Sequence, residues 1–446
     1  MQQKILLASM VGIIWLVVFL TGKVMESYSS VILLLVFMLL YTWLITLAMV
    51  HQKRMETRRP KKPVNEDYWP KVSVVISAHD EEVVIEETVY HLMKLGYPNY
   101  ELLIMDDRSQ DRTPEILTRL GETLGAPYRY HLRPSDAIPG KPAVLNEALT
   151  ITDGDVICVF DADAYVEPDF LRKIVPFLAD ESVGAVQARK VIANANENWL
   201  TKCQNYEYSL DSHFQYGRDS VRGAVELRGN GQLVKREALT EVHGWNNNTL
   251  TDDLDLSTRL HIEGWDIRFA HKVPVFEEGI TVFGSLLKQR RRWTEGTLFR
   301  YLEYAGPLLK SRKTSLRTTL DMIAYFLEFL LPLWLVLDFV QLGWGWITTG
   351  DASSTRIISS FLVVPVFCIS MSVALVVAII RFNRPKVMEA IGWSIITGLY
   401  FTILWFPLVF GIMVKVLFQK KRRTRWDKTE HTGSAHRQSR DLTPQA

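Results

Sequence analysis

KVSVVISAHDEEVVIEETVYHLMKLGYPNYELLIMDDRS, residues 71–109, is the stretch that decides the fold of this chain. Lys71-Val-Ser-Val-Val-Ile-Ser77 is an apolar run suited to a strand buried on both faces. A helical pattern follows to Leu95, and a second strand, Tyr100-Glu-Leu-Leu-Ile-Met105, ends in Asp106 and Asp107. Strand, helix and strand within about 35 residues make a βαβ unit, which predicts an α/β domain with a mostly parallel sheet. Open parallel sheets bind ligands at the carboxyl ends of their strands, where Asp106 and Asp107 fall.

The same arrangement recurs downstream. The run Asp155-Val-Ile-Cys-Val-Phe160 leads into FDADAYVEPDF, residues 160–170, which crowds Asp161, Asp163, Glu167 and Asp169 together. Like charges this close raise one another's pKa unless a cation or hydrogen-bond donors offset the repulsion. The stretch is therefore either a metal site or a solvated loop whose acids cap the next helix, expected over residues 168–178. No GxGxxG or P-loop follows either strand, which disfavours a dinucleotide enzyme or a nucleoside triphosphatase. A nucleotide diphosphate held through Mg²⁺ or Mn²⁺ suits carboxylates at strand tips better, because hard cations share carboxylate and phosphate oxygens.

Two later stretches extend the pattern. Thr251-Asp-Asp-Leu-Asp255 reads as a helix start, with Thr251 as the cap and Asp252 and Asp253 favouring the helix dipole, or as a further carboxylate group. Lys288-Gln-Arg-Arg-Arg-Trp293 sets four cations and an aromatic on a predicted helix. It is either a snorkelling interfacial helix or a cationic cover for a diphosphate.

Together these four stretches resemble the family 2 glycosyltransferases, in the membrane-integrated branch of the cellulose, hyaluronan and poly-N-acetylglucosamine synthases, plant mannan synthases and cyanobacterial glucosyldiacylglycerol synthases. The resemblance implies a GT-A nucleotide-sugar-binding domain. It implies that Asp106 and Asp107 hold the uracil and ribose of a UDP-sugar, and that Asp161 and Asp163 are the DxD pair on the nucleotide sugar and its divalent metal, Mg²⁺ or Mn²⁺. Thr251-Asp252-Asp253 stands where the family has Thr-Glu-Asp, making Asp253 the expected general base and Asp252 a shortened acceptor-side acid. Gln289, Arg292 and Trp293 match QxxRW, whose Arg is expected on the leaving diphosphate and whose Trp shapes the acceptor site. Lys141, in Gly140-Lys-Pro-Ala-Val-Leu-Asn146, is either a donor-site lysine or a surface lysine before a helix; Gly229-Asn-Gly231 resembles the acceptor loop.

Displacing UDP needs charge stabilisation on the diphosphate and deprotonation of the attacking hydroxyl. An ordinary Asp, with a pKa near 3.9, is a weak base, so Asp253 needs burial or neighbouring acids, for which Asp252 and Asp255 are candidates. One base without a carboxylate nucleophile implies inversion.

Around this domain the composition changes. Ile5 to Gly22 and Val31 to Val50 are nearly free of charge, and apolar runs return at 320–347, 356–381 and 387–418. The expected plan is two N-terminal transmembrane helices (1–52), a basic linker (53–69), a catalytic domain (70–283), interfacial helices with QxxRW (284–314), C-terminal transmembrane helices (315–419) and a basic polar tail (420–446). The cations of residues 51–62 place the domain in the cytoplasm by the positive-inside rule, at the cell membrane. Three single crossings after the domain would put the basic tail outside, against that rule. The run 387–418 has 32 residues, about 48 Å as one helix, and Pro407 leaves it open between one helix and two. A net charge of +2 argues against nucleic acid, and the basic clusters flank spans where anionic lipid explains them. Cys158, Cys203 and Cys368 show no zinc spacing and fit a reducing compartment. Glu328 and Asp338, inside an apolar run, either line an acceptor path or lie near the membrane surfaces.

The expected activity is transfer of a sugar, glucose by resemblance, from a UDP-sugar to a membrane lipid such as diacylglycerol. The alternatives are a processive β-polysaccharide synthase with a glycan acceptor and an inactive transferase-like receptor. Residues 289–304 resemble the glycolipid enzymes, few late spans remain to line a polymer channel, and retention of Asp163 and Asp253 speaks against the receptor.

Overall fold

The computed structural model describes residues 2–24, scattered positions between 31 and 49, 68–349 and 354–418. The basic segment 51–62, the polar tail from 420 and part of the second N-terminal span lie outside the described residues. The strands are β1 Val72–Ala78, β2 Tyr100–Asp106, β3 Tyr128–Leu132, β4 Val156–Phe160, β5 Val183–Ile192, β6 Gln232–Lys235 and β7 Asp266–Glu277. They form one sheet in the order β3-β2-β1-β4-β6-β5-β7. Only β6 runs antiparallel to its neighbours, β4 and β5; the other pairings are parallel. This is the mostly parallel sheet expected of a GT-A domain.

Alternate residues of the central strands enter two different cores. Val72, Val74 and Ile76 pack with Leu102 and Ile104 on one face, while Val75 packs with Leu103, Met105 and Ile157 on the other. Both faces are dry, which is why these strands read as unbroken apolar runs instead of alternating ones.

The reversed strand matters for function. Val159 of β4 faces Gln232 of β6, so the turn that precedes β6, Gly229 to Gly231, arrives at the edge where β4 gives way to Asp161. The parallel pair β5 and β7 brings Lys190 and Glu277 to that same edge. Gly229 and Gly231 have φ values of +80° and +69°, in the left-handed region that glycine adopts without steric penalty. A Cβ on Gly229 would lie 3.3 Å from Asp253 Oδ2, and one on Gly231 2.7 Å from Val275 Cγ1.

Three expectations for the helices are corrected. The helix expected over 168–178 is a short helix, Phe170–Ile174, followed by a 3₁₀ turn, Val175–Ala179, because Pro176 removes a backbone donor. Asp169 occupies its N-cap position without capping it and pairs with Lys173 at 2.6 Å instead. The apolar run 320–347 is not one span but is divided between helices Leu316–Phe329 and Leu331–Thr349, where Pro332 begins a new helix with no N–H to donate backwards. The segment 284–314 holds one helix, Phe283–Lys310.

The remaining late helices are Ser354–Phe382 and Val387–Phe418. The latter contains Pro407 and continues through it, so the run left open between one helix and two is one. Among the described residues three helices are long and apolar enough to cross a membrane, Leu331–Thr348, Ile357–Phe382 and Val387–Phe418. The N-terminal helix Gln2–Val24 joins them, with Ile14 and Val18 in one apolar cluster with Leu298, Leu302, Val409 and Met413.

Candidate active site

The carboxyl edge of the sheet opens on a cavity of about 1590 Å³. Of the residues singled out in the sequence, Asp107, Lys141, Asp161, Asp163, Gly229, Asp252, Asp253, Gln289, Arg292 and Trp293 line it, while Asp106 and Gly231 do not. Gly231 is spent on the turn. Asp106 is covered, 2% exposed, and accepts the Ser109 amide at 3.2 Å.

The two aspartates after β2 differ electrostatically. Burial raises Asp106 above the usual carboxylate range, and the hydrogen bonds from Ser109 only partly oppose it. Burial acts on Asp107 as well but is outweighed by Arg108, the Gly140 amide and Arg133, which hold its pKa down. Arg133 Nη1 lies 2.6 Å from Asp107 Oδ1 and the Gly140 amide 2.8 Å from Oδ2. Asp107 is thus a fixed anion at the cavity wall.

Beyond β4, Lys141 Nζ donates to Asp161 Oδ1 at 2.5 Å and to the Gly229 carbonyl at 3.3 Å. Lys141 therefore lines the cavity with its side chain largely covered and is not a surface lysine. Burial disfavours its charge, but Asp161, Asp252 and Asp253 raise its pKa and keep it protonated. Asp163, 3% exposed, accepts the Glu278 amide at 2.7 Å.

Asp252 and Asp253 open the helix Asp252–Ile262. Thr251 occupies the N-cap but makes no side-chain cap bond, so the capping expectation holds by position only. Burial, then the neighbouring Asp252, raises the pKa of Asp253 to about 6, against opposing contributions from the Leu254 amide, Arg228 and Lys141. The expectation that Asp255 shares in this is corrected: its carboxylate is engaged by Arg259 at 2.7 Å, Asn246 at 3.1 Å and Tyr304 at 2.7 Å.

The helix Phe283–Lys310 closes the cavity from the other side. Trp293 sits between two cations, with Arg290 Cζ 4.3 Å and Lys190 Nζ 5.8 Å from its ring. Arg292 donates to the Leu250 carbonyl at 3.3 Å, and Gln289 accepts from Arg290 at 2.5 Å. Arg290 is ion-paired with Glu207 at 2.9 Å, and Glu207 also accepts the Tyr400 hydroxyl at 3.1 Å.

Several lining residues carried no sequence signal strong enough to single them out. Lys190 pairs with Glu277 at 2.9 Å, and Tyr208 donates to the same carboxylate at 2.7 Å. Arg228 immediately precedes Gly229 and Glu226 lies three residues before it, and that proximity was the one clue available. Glu328 lines the cavity, whereas Asp338 accepts the Ser360 hydroxyl at 2.6 Å between two late helices and lies elsewhere. Away from the carboxylates the wall is apolar, built by Phe329, Phe367, Phe401, Leu404, Trp405 and Leu408 of the late helices.

A family model described as "Glycosyltransferase like family 2" matches residues 70–296. A beta-monoglucosyldiacylglycerol synthase of Nostoc sp. is 39% identical over 375 residues, covering 82% of this chain and 77% of that protein. A Synechocystis sp. protein of the same name is 42% identical over 279 residues, covering 62% of this chain and 58% of its own. The solved mannosyltransferase PcManGT of Pyrobaculum calidifontis, in complex with GDP-Man and Mn²⁺, matches with a TM-score of 0.56 at 20% identity, over 87% of this chain and all of that one, a likeness of fold.

Proposed function

The chain belongs to the family 2 glycosyltransferases, and from that premise we propose that it moves glucose from UDP-glucose onto diacylglycerol, with inversion, in the plane of a membrane. The observation that carries this reading is that one cavity has a carboxylate and cation end on the sheet edge and an apolar wall from helices able to cross a membrane. A donor bearing a diphosphate fits the first end and acyl chains fit the second. The names of the relatives from Nostoc and Synechocystis support the choice of sugar and acceptor. The basic flanks support a cytoplasmic catalytic domain at the cell membrane.

In this reading Asp107, buttressed by Arg133, positions the nucleoside end, with covered Asp106 behind it. Lys141, Gln289 and Arg292 surround the diphosphate. Asp253 takes the proton of the acceptor hydroxyl as its oxygen bonds to the anomeric carbon; the bond from that carbon to the diphosphate breaks, and UDP leaves with the electron pair. A pKa near 6 suits that step better than an ordinary aspartate would. Trp293, Asp252 and the turn at Gly229 and Gly231 shape the acceptor side.

Among the described residues no group of three or more His, Cys, Asp or Glu is assembled that could hold a metal by itself. The two hard carboxylates Asp161 and Asp163 fit a divalent ion whose shell the donor's diphosphate completes. Mg²⁺ or Mn²⁺ bound there would offset the negative charge developing on the leaving group.

The test is to incubate membranes containing the protein with labelled UDP-glucose, UDP-galactose or UDP-N-acetylglucosamine, with and without diacylglycerol. A monoglucosyl lipid should form, increase with diacylglycerol and stop on chelation with EDTA until Mg²⁺ or Mn²⁺ is restored. High-mass label cleaved by a polysaccharide hydrolase overturns the lipid reading in favour of a polymer synthase.

A further inference from the structure

Two side chains of the cavity wall carry polar groups that no step above uses. Tyr325 and Glu328 line the cavity from the helix Leu316–Phe329, just before Phe329 of the apolar wall and the span that begins at Leu331. Their spacing, with Asp321 a turn earlier, puts all three on one helix face. That face is anchored. Asp321 takes the Ala224 amide at 2.6 Å and Arg218 at 3.3 Å, and the Arg218 guanidinium lies 4.6 Å from the Tyr325 ring. The segment held in this way runs on from Ala224 to Gly229, the turn residue packed beside Asp253.

Other acids on the cavity wall are engaged. Glu226 takes Arg300 at 2.5 Å, Asp211 takes Arg228 at 2.7 Å, Glu207 takes Arg290 at 2.9 Å and Glu277 takes Lys190 at 2.9 Å. Glu328 differs. Among the described residues its carboxyl group has no hydrogen bond or ion pair, and the Tyr325 hydroxyl has no hydrogen bond. Both side chains are half-buried, yet neither the Glu328 oxygens nor the Tyr325 oxygen is sealed inside the protein. Burial, opposed by Arg218 and aided by Asp321, raises the pKa of Glu328 to about 8. At neutral pH it is mainly a neutral acid, with one O–H to donate, as the tyrosine has. The arginines around Tyr325, namely Arg218, Arg228 and Arg300, are already matched by Asp321, Asp211 and Glu226, so a phosphate would find no free cation among them.

We infer that Tyr325 and Glu328 form the headgroup site for a neutral glycerolipid acceptor, their accessible O–H groups donating to its uncharged oxygens while its free hydroxyl points to Asp253 and its acyl chains follow Phe329. The inference rests on the lipid reading above. Two donors on one rigid helix face, at the threshold of an apolar wall, orient a molecule that has oxygens at one end and hydrocarbon at the other.

The test begins with the unaltered protein in phosphatidylcholine vesicles, treated with dicyclohexylcarbodiimide, an apolar reagent that adds to protonated carboxyl groups, and read at the peptide containing Glu328 by mass spectrometry. Glu328 should be labelled, and dioleoylglycerol should protect it where an equal mole fraction of dioleoylphosphatidic acid does not. In transfer assays with UDP-glucose, Glu328→Leu should raise the KM for dioleoylglycerol about 10-fold with kcat and UDP binding little changed. Glu328→Gln, which keeps a donor and an acceptor, should stay near the unaltered protein, and Tyr325→Phe should raise the same KM. Glucosylation of dioleoylglycerol without its protection of Glu328 overturns the proposal, as does equal protection by phosphatidic acid, and neither outcome depends on whether a variant folds. If the unaltered protein glucosylates no lipid and builds polymer instead, the acceptor reading itself fails and the headgroup site falls with it.

Discussion

Asp107 is held by two arginines and Asp161 by Lys141, whereas the Asp253 carboxylate accepts the Leu254 amide at 2.8 Å. That difference suits Asp253 to the base role proposed for it. With its pKa raised to about 6, transfer should show an acidic limb near pH 6, rising as the carboxylate ionises. Asp253→Asn should lower transfer by about 10²- to 10⁴-fold while UDP binding survives, and near-normal turnover would remove Asp253 from the role. The same variant should be more stable at pH 7.5. The folded carboxyl holds its proton more tightly than the unfolded one, so ionisation costs stability between about pH 4 and pH 6, by roughly 3 kcal/mol at most. Asn removes that cost, and thermal unfolding in detergent at pH 7.5 and pH 4 would read the difference. At this scale much was legible: Asp161, Asp163, Asp253, Arg292 and Trp293 were picked out by order and type, and the cavity collects them. What tunes them was not legible. Asp255 looked as able as Asp252 to perturb Asp253, but its spacing to Arg259 places the two on one helix face, where they pair. Arg228 and Lys190 belong to no recognisable pattern, because a loop before β6 and the strand β5 reach the cavity together only in the folded sheet.

Among the elements, the helix Phe283–Lys310 joins the catalytic edge to the rest of the molecule, and Arg290 is the joint. It stacks on Trp293 and pairs with Glu207 on the helix Trp199–Val221, itself bonded to Tyr400 of Val387–Phe418. Both members of the pair are largely buried. Arg290→Met should therefore destabilise the protein by about 3–5 kcal/mol by stranding a carboxylate, and adding Glu207→Leu should recover part of the loss. Urea denaturation in detergent measures both; strictly additive effects would show that the pair is not coupled. The existence of this helix was readable from its motif, and its partner 83 residues away was not. The division of the run 320–347 was written in Pro332, but apolar composition conceals a break that leaves hydropathy unchanged.

For the whole molecule, the alternation of apolar flanks and an α/β middle was legible because membrane helices and doubly covered strands leave different periodicities. The reversed strand β6 was not, since a short strand of four residues bears no mark of its direction. Its consequence is the shared edge on which donor groups and apolar wall meet. In the proposed lipid reading, a wall supplied by Phe367, Phe401 and Trp405 would receive its guest from the side, out of a two-dimensional phase. With a lipid acceptor, the concentration that governs such an enzyme is a mole fraction. Diluting vesicles with buffer at fixed vesicle composition should leave turnover per enzyme unchanged, while diluting diacylglycerol with inert phospholipid at constant bulk amount should lower it in proportion below saturation. A rate that followed bulk amount instead would mean that the acceptor comes through water, and the apolar wall would need another occupant.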